Sequence, residues 1–221
     1  IRALFRFGLP TGVQGVAMNV GGVLLLRFVG SLEQSAEAQA AYAIGYSQLF
    51  SFITFASVGI MGATAAVVGQ NLGAGKPDRA IHAVHSASLI GLSLAGALGL
   101  LFLTIPRVLL AGFGVHDEVV MQLGVQLLRV LSVSGLFITV ALAYTGALQG
   151  SGDTRSPLHI SIISQFILPL GFCAILDATR GLTAMNIFFA ILLGHVTRCT
   201  LSVLRFRQGR WKSIVVTTAG R

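Results

Sequence analysis

Charge is what this sequence has least of. Of its 221 residues only 10% are charged and 54% are hydrophobic, whereas a water-soluble domain carries roughly a quarter charged residues. Acids are the scarcest: seven Asp and Glu stand against 15 Lys and Arg, and none lies in the middle of a long apolar run. That scarcity removes the paired carboxylates of acid–base catalysis, and no histidine cluster or nucleophile with its base sits at one depth, so an enzyme is not expected. Cysteine is almost absent. Cys173 and Cys199 both fall inside apolar runs, provide no disulfide framework and read as small core residues.

The net charge of +8 and isoelectric point near 10.8 raise the question of nucleic acid. The basic residues, however, lie between and beyond the apolar runs and form no single patch, so the charge reads as membrane topology and no nucleic-acid partner is expected. Nucleotide binding at Gly73 to Lys76 is disfavoured as well: Gln70 stands six before Lys76 where a phosphate loop needs glycine, and Pro77 replaces its Ser or Thr. His82 and His85 are three apart, but no Cys or carboxylate is spaced to complete a tetrahedral set, so neither a metal site nor a cofactor is expected.

What the chain does have is long uncharged stretches, with a mean hydropathy of +0.84. Crossing about 30 Å of hydrocarbon takes roughly 20 apolar residues as a helix. Six stretches qualify, at approximately 8–30, 42–69, 86–105, 121–148, 158–176 and 182–204. The expected fold is all-α, a polytopic membrane bundle of six transmembrane helices over residues 1–207, followed by a basic tail at 208–221, with membrane lipid as its surroundings. Cytoplasmic loops retain an excess of Lys and Arg. An N-terminus on the inside puts Arg2, Arg6, Lys76, Arg79, Arg155, Arg205, Arg207, Arg210, Lys212 and Arg221 on the cytoplasmic side and leaves only Arg107 and Arg180 outside. Both ends are then cytoplasmic, with Trp211 expected at the headgroups.

Small residues recur at four-residue spacing: Gly59 with Ala63, Gly62 with Ala66, Gly91 with Ala95 and Ala95 with Gly99. Such pairs let backbones approach closely, which matters where burial from water no longer drives helix association. The segments Gly73-Ala-Gly-Lys-Pro-Asp-Arg79 and Gly150-Ser-Gly-Asp-Thr-Arg155 echo each other. Each is expected to end an inward-running helix on a φ > 0 glycine, with a basic residue at the inner headgroups.

Three motifs in order, Gly8-Leu-Pro10, Val68-Gly-Gln-Asn-Leu-Gly-Ala-Gly-Lys-Pro-Asp-Arg-Ala80 and Gly146-Ala-Leu-Gln-Gly-Ser-Gly-Asp-Thr-Arg-Ser-Pro157, resemble those of the MATE (multidrug and toxic compound extrusion) family. The resemblance covers the chain from about Ile1 to Arg207. It implies a secondary active transporter of two six-helix lobes around a cavity that opens alternately to each side, exporting organic cations, drugs or similar small amphiphiles in exchange for H⁺ or Na⁺. This chain would be the C-terminal lobe, its partner an N-terminal six-helix lobe upstream of Ile1, and its location the plasma membrane, the inner membrane of a bacterium. A lipid-linked precursor flippase of the same superfamily is the alternative; it calls for a strongly cationic cavity, and only Arg129 and Arg198 are available. A half-size transporter acting as a dimer is the other. Some sodium-coupled relatives carry carboxylates at positions that fall here on Met18 and Ile138, so those roles do not transfer.

Ionisable and polar groups within a membrane are costly and are functional hypotheses by default. Gln14 and Met18 share a helical stripe with Pro10 and Gly21 and are expected to line a cavity. Arg129, Ser132, Leu136, Thr139, Ala143, Gly146 and Gly150 form a second seam, for which helix packing is the competing explanation. The candidate substrate-binding residues are Gln14, Met18, Asn19, Tyr46, Arg129, Thr139, Tyr144 and Gln165, the tyrosines through their ring faces. Pro169, Asn186 and Arg198 are further polar or helix-breaking positions. His195, deep in the last apolar run, is the one candidate proton carrier, with a core histidine as the simpler alternative.

Overall fold

The computed structural model describes residues 2–179 and 181–213, with side chains over 8–179 and 181–212; Ile1, Arg180 and Arg221 of the topology assignment lie outside the described residues, as do the side chains of Arg2 and Arg6. Among the described residues six helices are long and apolar enough to cross a membrane: α1 (Arg2–Gly30), α2 (Ser35–Gly73), α3 (Pro77–Thr104), α4 (Glu118–Gly150), α5 (Arg155–Thr179) and α6 (Ala184–Arg207), with a short helix at Pro106–Gly112 between α3 and α4. No strand occurs among the described residues. Most of the helices outrun the uncharged windows, α2 and α3 by seven residues or more at their starts, because hydropathy marks the lipid-facing stretch while the backbone ladder continues through the polar headgroup zone.

Local signals fix the ends. Asp117 caps α4, its Oδ1 accepting the Val119 and Val120 N–H groups at 2.9 Å, and the Thr183 hydroxyl does the same for Asn186 at the start of α6. Pro77 opens α3 at the first-turn position where a missing N–H costs nothing. The two echoed segments close α2 and α4 with the same device. Gly75 and Gly152 have φ of 68° and 90°, Lys76 N–H reaches back to the Asn71 carbonyl, and Asp153 N–H reaches back to that of Leu148. Each pair is completed by the glycine N–H bonding to Leu72 or Gln149, which makes both turns Schellman caps.

The hub is α4. Of its apolar stretch 56% is buried, against 22% for α1, and it packs on α2, α3 and α6. Small residues allow this. A Cβ on Gly146 would collide with the Met61 carbonyl and one on Gly150 with that of Ala65, both on α2. On α3, a Cβ at Gly91 would run into the Thr139 methyl, and one at Gly99 would lie 3.1 Å from the Ser132 carbonyl oxygen. The expected Gly91, Ala95, Gly99 seam is thus the α3–α4 contact. Gly59 and Gly62 meet nothing within 4 Å and, with Ala63 and Ala66, face outward; their pairs do not pack within this bundle.

At the end of the bundle that holds both caps, Val68, Ala80, Val84, Tyr144, Leu148, Phe206 and Trp211 form a second apolar cluster. Trp211 is 1% exposed, stacked on Phe206 at 4.6 Å with its indole N–H on the Phe206 carbonyl. A short 3₁₀ turn, Arg210–Ser213, folds back after Gly209 (φ 71°) and tucks the ring against the bundle end. The basic segment after α6 therefore begins as a packed turn. Beside it, Asp153 accepts Arg205 Nη2 at 2.8 Å and Nε at 3.0 Å while taking the Ser156 N–H and hydroxyl, which ties the α4–α5 turn to α6.

Because close backbone packing is the main tie between α2 and α4, Gly146→Leu is expected to lower the thermal unfolding midpoint in detergent by the equivalent of about 1–3 kcal/mol or more, and Gly62→Leu to leave that of the isolated bundle near the original. Equal effects of the two would contradict the packing assignment.

Candidate functional site

Two of the six helices are not regular. In α2 the segment Ala43–Leu49 is π-helical, closing with Phe50 N–H on the Gly45 carbonyl, and in α5 the segment Ile162–Ile167 is π-helical, closing with Leu168 N–H on that of Ile163. Such turns are rare and concentrate at functional sites, since the widened turn redirects side chains and leaves a carbonyl without its usual donor. Each has a visible cause. Gly45 admits Leu127, whose Cδ2 lies 2.8 Å from where a Cβ would be. Pro169 has no N–H to offer the Gln165 carbonyl four residues back, and that oxygen instead approaches Gly21 of α1, 3.0 Å from its would-be Cβ.

Both irregular segments open onto one cavity of about 380 Å³, lined among others by Met18, Asn19, Tyr42, Tyr46, Ser47, Gln165 and Pro169. Its volume falls in the range of drug-sized ligand sites. From its wall a run of rings leads inward: Tyr42 stacks on Tyr46 at 4.9 Å, Tyr46 on Phe50 at 5.5 Å, and Phe50 on His195 at 5.7 Å. One turn along α6 from His195 lies Arg198, 2% exposed, with Nη1 3.8 Å from the Met18 sulfur and Nε without a partner.

Four of the eight candidate residues, Met18, Asn19, Tyr46 and Gln165, therefore line a common cavity. The others do not. Gln14 is buried and bridges helices: its Nε2 donates to the Ser161 hydroxyl at 2.7 Å and its Oε1 accepts from Gln149 at 3.3 Å. Thr139 is fully buried and shares a 2.7 Å hydrogen bond with Ser57; interhelical bonds of this kind contribute on the order of 1 kcal/mol in lipid. Tyr144 stands edge-on to Phe206 at 5.2 Å in the second apolar cluster. Arg129 is exposed on α4, away from the cavity. His195 is buried with Nδ1 unpartnered. His82 and His85 are exposed, and among the described residues no three His, Cys, Asp or Glu side chains are grouped to hold a metal ion.

Tyr42 and Ser47 line the cavity without having been singled out. Tyr42 is one helical turn before Tyr46 and was within reach of periodicity, whereas Ser47 joins the same wall from within the π turn.

The MatE family profile matches residues 10–175, three quarters of the sequence and most of the bundle just described. The chain belongs to the MatE family. Among curated relatives it is 31% identical over 227 residues to a probable multidrug resistance protein NorM of Deinococcus radiodurans, covering 95% of this chain and 48% of that protein. It is 33% identical over 173 residues to multidrug resistance protein MdtK of Pectobacterium atrosepticum, covering 77% and 36%. A crystal structure of MATE in complex with MaL6 superposes with a TM-score of 0.86 at 17% identity, covering 96% of this chain and 48% of that one, a likeness that bears on the fold. The chain spans about half the length of the curated relatives it matches. It thus has the fold of one six-helix lobe of a MatE protein.

If Pro169 holds the α5 π turn open, Pro169→Ala restores a donor for the Gln165 carbonyl. The expected outcome in the natural protein is a raised unfolding midpoint together with weaker binding of a cationic dye. A raised midpoint with unaltered binding would detach the π turn from the cavity.

Proposed function

We propose that this MatE lobe is half of a secondary active transporter that exports organic cations, drugs or similar small amphiphiles in exchange for H⁺ or Na⁺. The observation that carries the reading is the cavity between α1, α2 and α5, walled by aromatic rings and by two π-helical segments at a depth where lipid offers no polar partners. Tyrosine faces attract organic cations, and a π turn is a ready hinge for opening and closing the wall. Coupling follows when ion and substrate occupy the protein exclusively of each other, so that the inward ion gradient drives the substrate out. An N-terminal lobe supplies the opposite wall, and the names of the curated relatives support multidrug substrates. The bacterial relatives favour the inner membrane of a bacterium.

In this reading both ends of the lobe are cytoplasmic. The end that gathers the Schellman caps, the Asp153–Arg205 bridge and Trp211 also carries Lys76, Arg155 and Arg207, the excess expected of an inner face. With Cys173 and Cys199 replaced, single cysteines at Lys76 and Arg155 are expected to label from the same side and one at Glu33 from the other; Lys76 and Arg155 on opposite sides would refute the topology.

Everted vesicles from cells making the complete natural protein are expected to take up a fluorescent cationic dye when a proton or sodium gradient is imposed, and to lose uptake when it is collapsed. Uptake indifferent to both gradients would refute coupled export.

A further inference from the structure

The most costly group in the bundle is Arg198. It lies mid-helix in α6, 2% exposed, and among the described residues no carboxylate answers it: the one buried acid, Asp153, is bound to Arg205 at the end of the bundle. Its Nε has no partner, its Nη1 donates to the Met18 thioether at 3.8 Å, and the Tyr46 phenol near it is a neutral group that leaves the charge unbalanced. A thioether is a weak acceptor, and a buried charge left in this way is strongly unfavourable unless something pairs with it. Met18, whose sulfur touches the guanidinium, is itself a cavity-lining residue. Methionine is unbranched and readily changes rotamer, so its displacement joins Arg198 to the cavity.

We propose that Arg198 is a binding site for a carboxylate carried by the transported molecule, with Met18 as the movable cover. The planar fork of an arginine matches a carboxylate with two parallel N–H···O bonds, and the fully desolvated surroundings make that pairing stronger than at a surface. The apolar and aromatic body of the ligand then lies along Tyr42 and Tyr46, and a basic nitrogen elsewhere on the molecule remains free for a ring face. The site therefore selects amphiphiles that bear a carboxylate over the same skeleton without one. This rests on the exporter reading for the identity of the cavity, but its test is separable.

The test uses the complete natural protein in detergent and two probes, a fluorescent xanthene dye with a free carboxylate and the methyl ester of the same dye, with binding read by fluorescence polarisation. The expected result is preference for the acid in the unaltered protein, a fall of about tenfold or more in the acid-to-ester affinity ratio in Arg198→Gln, and partial retention of the ratio in Arg198→Lys. Met18→Glu, which leaves Arg198 in place, is expected to abolish the preference by supplying a competing carboxylate from the chain itself. No preference in the unaltered protein, or a ratio unmoved by Arg198→Gln or Met18→Glu, would overturn the proposal. Equal loss of both dyes in Arg198→Gln would do so as well, pointing to an acidic side chain of the other lobe as the partner. Failure of coupled export is read separately, as absence of gradient-driven ester uptake in vesicles whose protein still discriminates acid from ester.

Discussion

Everything in this lobe depends on how closely backbones approach α4. In water the exclusion of apolar surface would gather six helices regardless of detail; in lipid the tails solvate leucine and valine as well as another helix does, so contact has to be favourable in itself. The glycines of α4 and α3 supply that contact by letting whole helix faces meet. Gly146 and Gly150 lie against the carbonyls of Met61 and Ala65, and Gly91 and Gly99 lie against Thr139 and Ser132. Where backbones touch so closely, a small hydroxyl is in reach of its counterpart, and Ser57 and Thr139 join α2 to α4 at the same level. The polar seam on α4 is the seam along which the bundle is assembled.

The cavity lies on the other side of this division of labour. Between α1, α2 and α5 packing is looser, the helices take π turns at Ala43–Leu49 and Ile162–Ile167, and the space between them is walled by tyrosines and amides. A closely packed hub of α3, α4, α6 and the regular part of α2, beside a looser margin of α1, α5 and the π turn of α2, suits an element that holds shape while one wall moves. The Gln14 amide bonds α1 to Ser161 of α5 and to Gln149 of α4, Gly21 passes close over α5, and Leu25 and Val29 beyond it pack into the main core.

The architecture was legible because it rests on one-dimensional signals. Long uncharged runs report the bilayer, and Gly75 and Gly152 repeat a cap whose chemistry only glycine satisfies. The site was legible in part. Met18, Asn19, Tyr46 and Gln165 could be picked out as polar or polarisable groups at membrane depth, but so could Gln14 and Thr139, and composition does not tell an amide that lines a space from one that bonds to a neighbour. Spacing has the same limit: Gly59 and Gly62 share the four-residue rhythm of Gly91 and Gly99, yet only the latter pair meets another helix here. The π turns are hidden for a different reason. They depend on Pro169 withholding a donor and on Leu127 pressing into Gly45, and the second of these is a contact between distant parts of the chain.

Arg198 shows how an unfavourable feature becomes informative once its surroundings are known. In the sequence it is one of several polar positions, and an interhelical hydrogen bond is the default account. That account holds for Gln14 and Thr139, whose partners are found, and fails for Arg198, whose Nη1 meets a thioether instead of an acid. A bundle that satisfies Asp153 with Arg205 and Ser156 at its edge, yet leaves a guanidinium unanswered at its centre, is not short of the means to pair charges. In the proposed site, the energy withheld at Arg198 is available to whatever brings a negative group into the cavity, and Met18, which touches both, is flexible enough to give way.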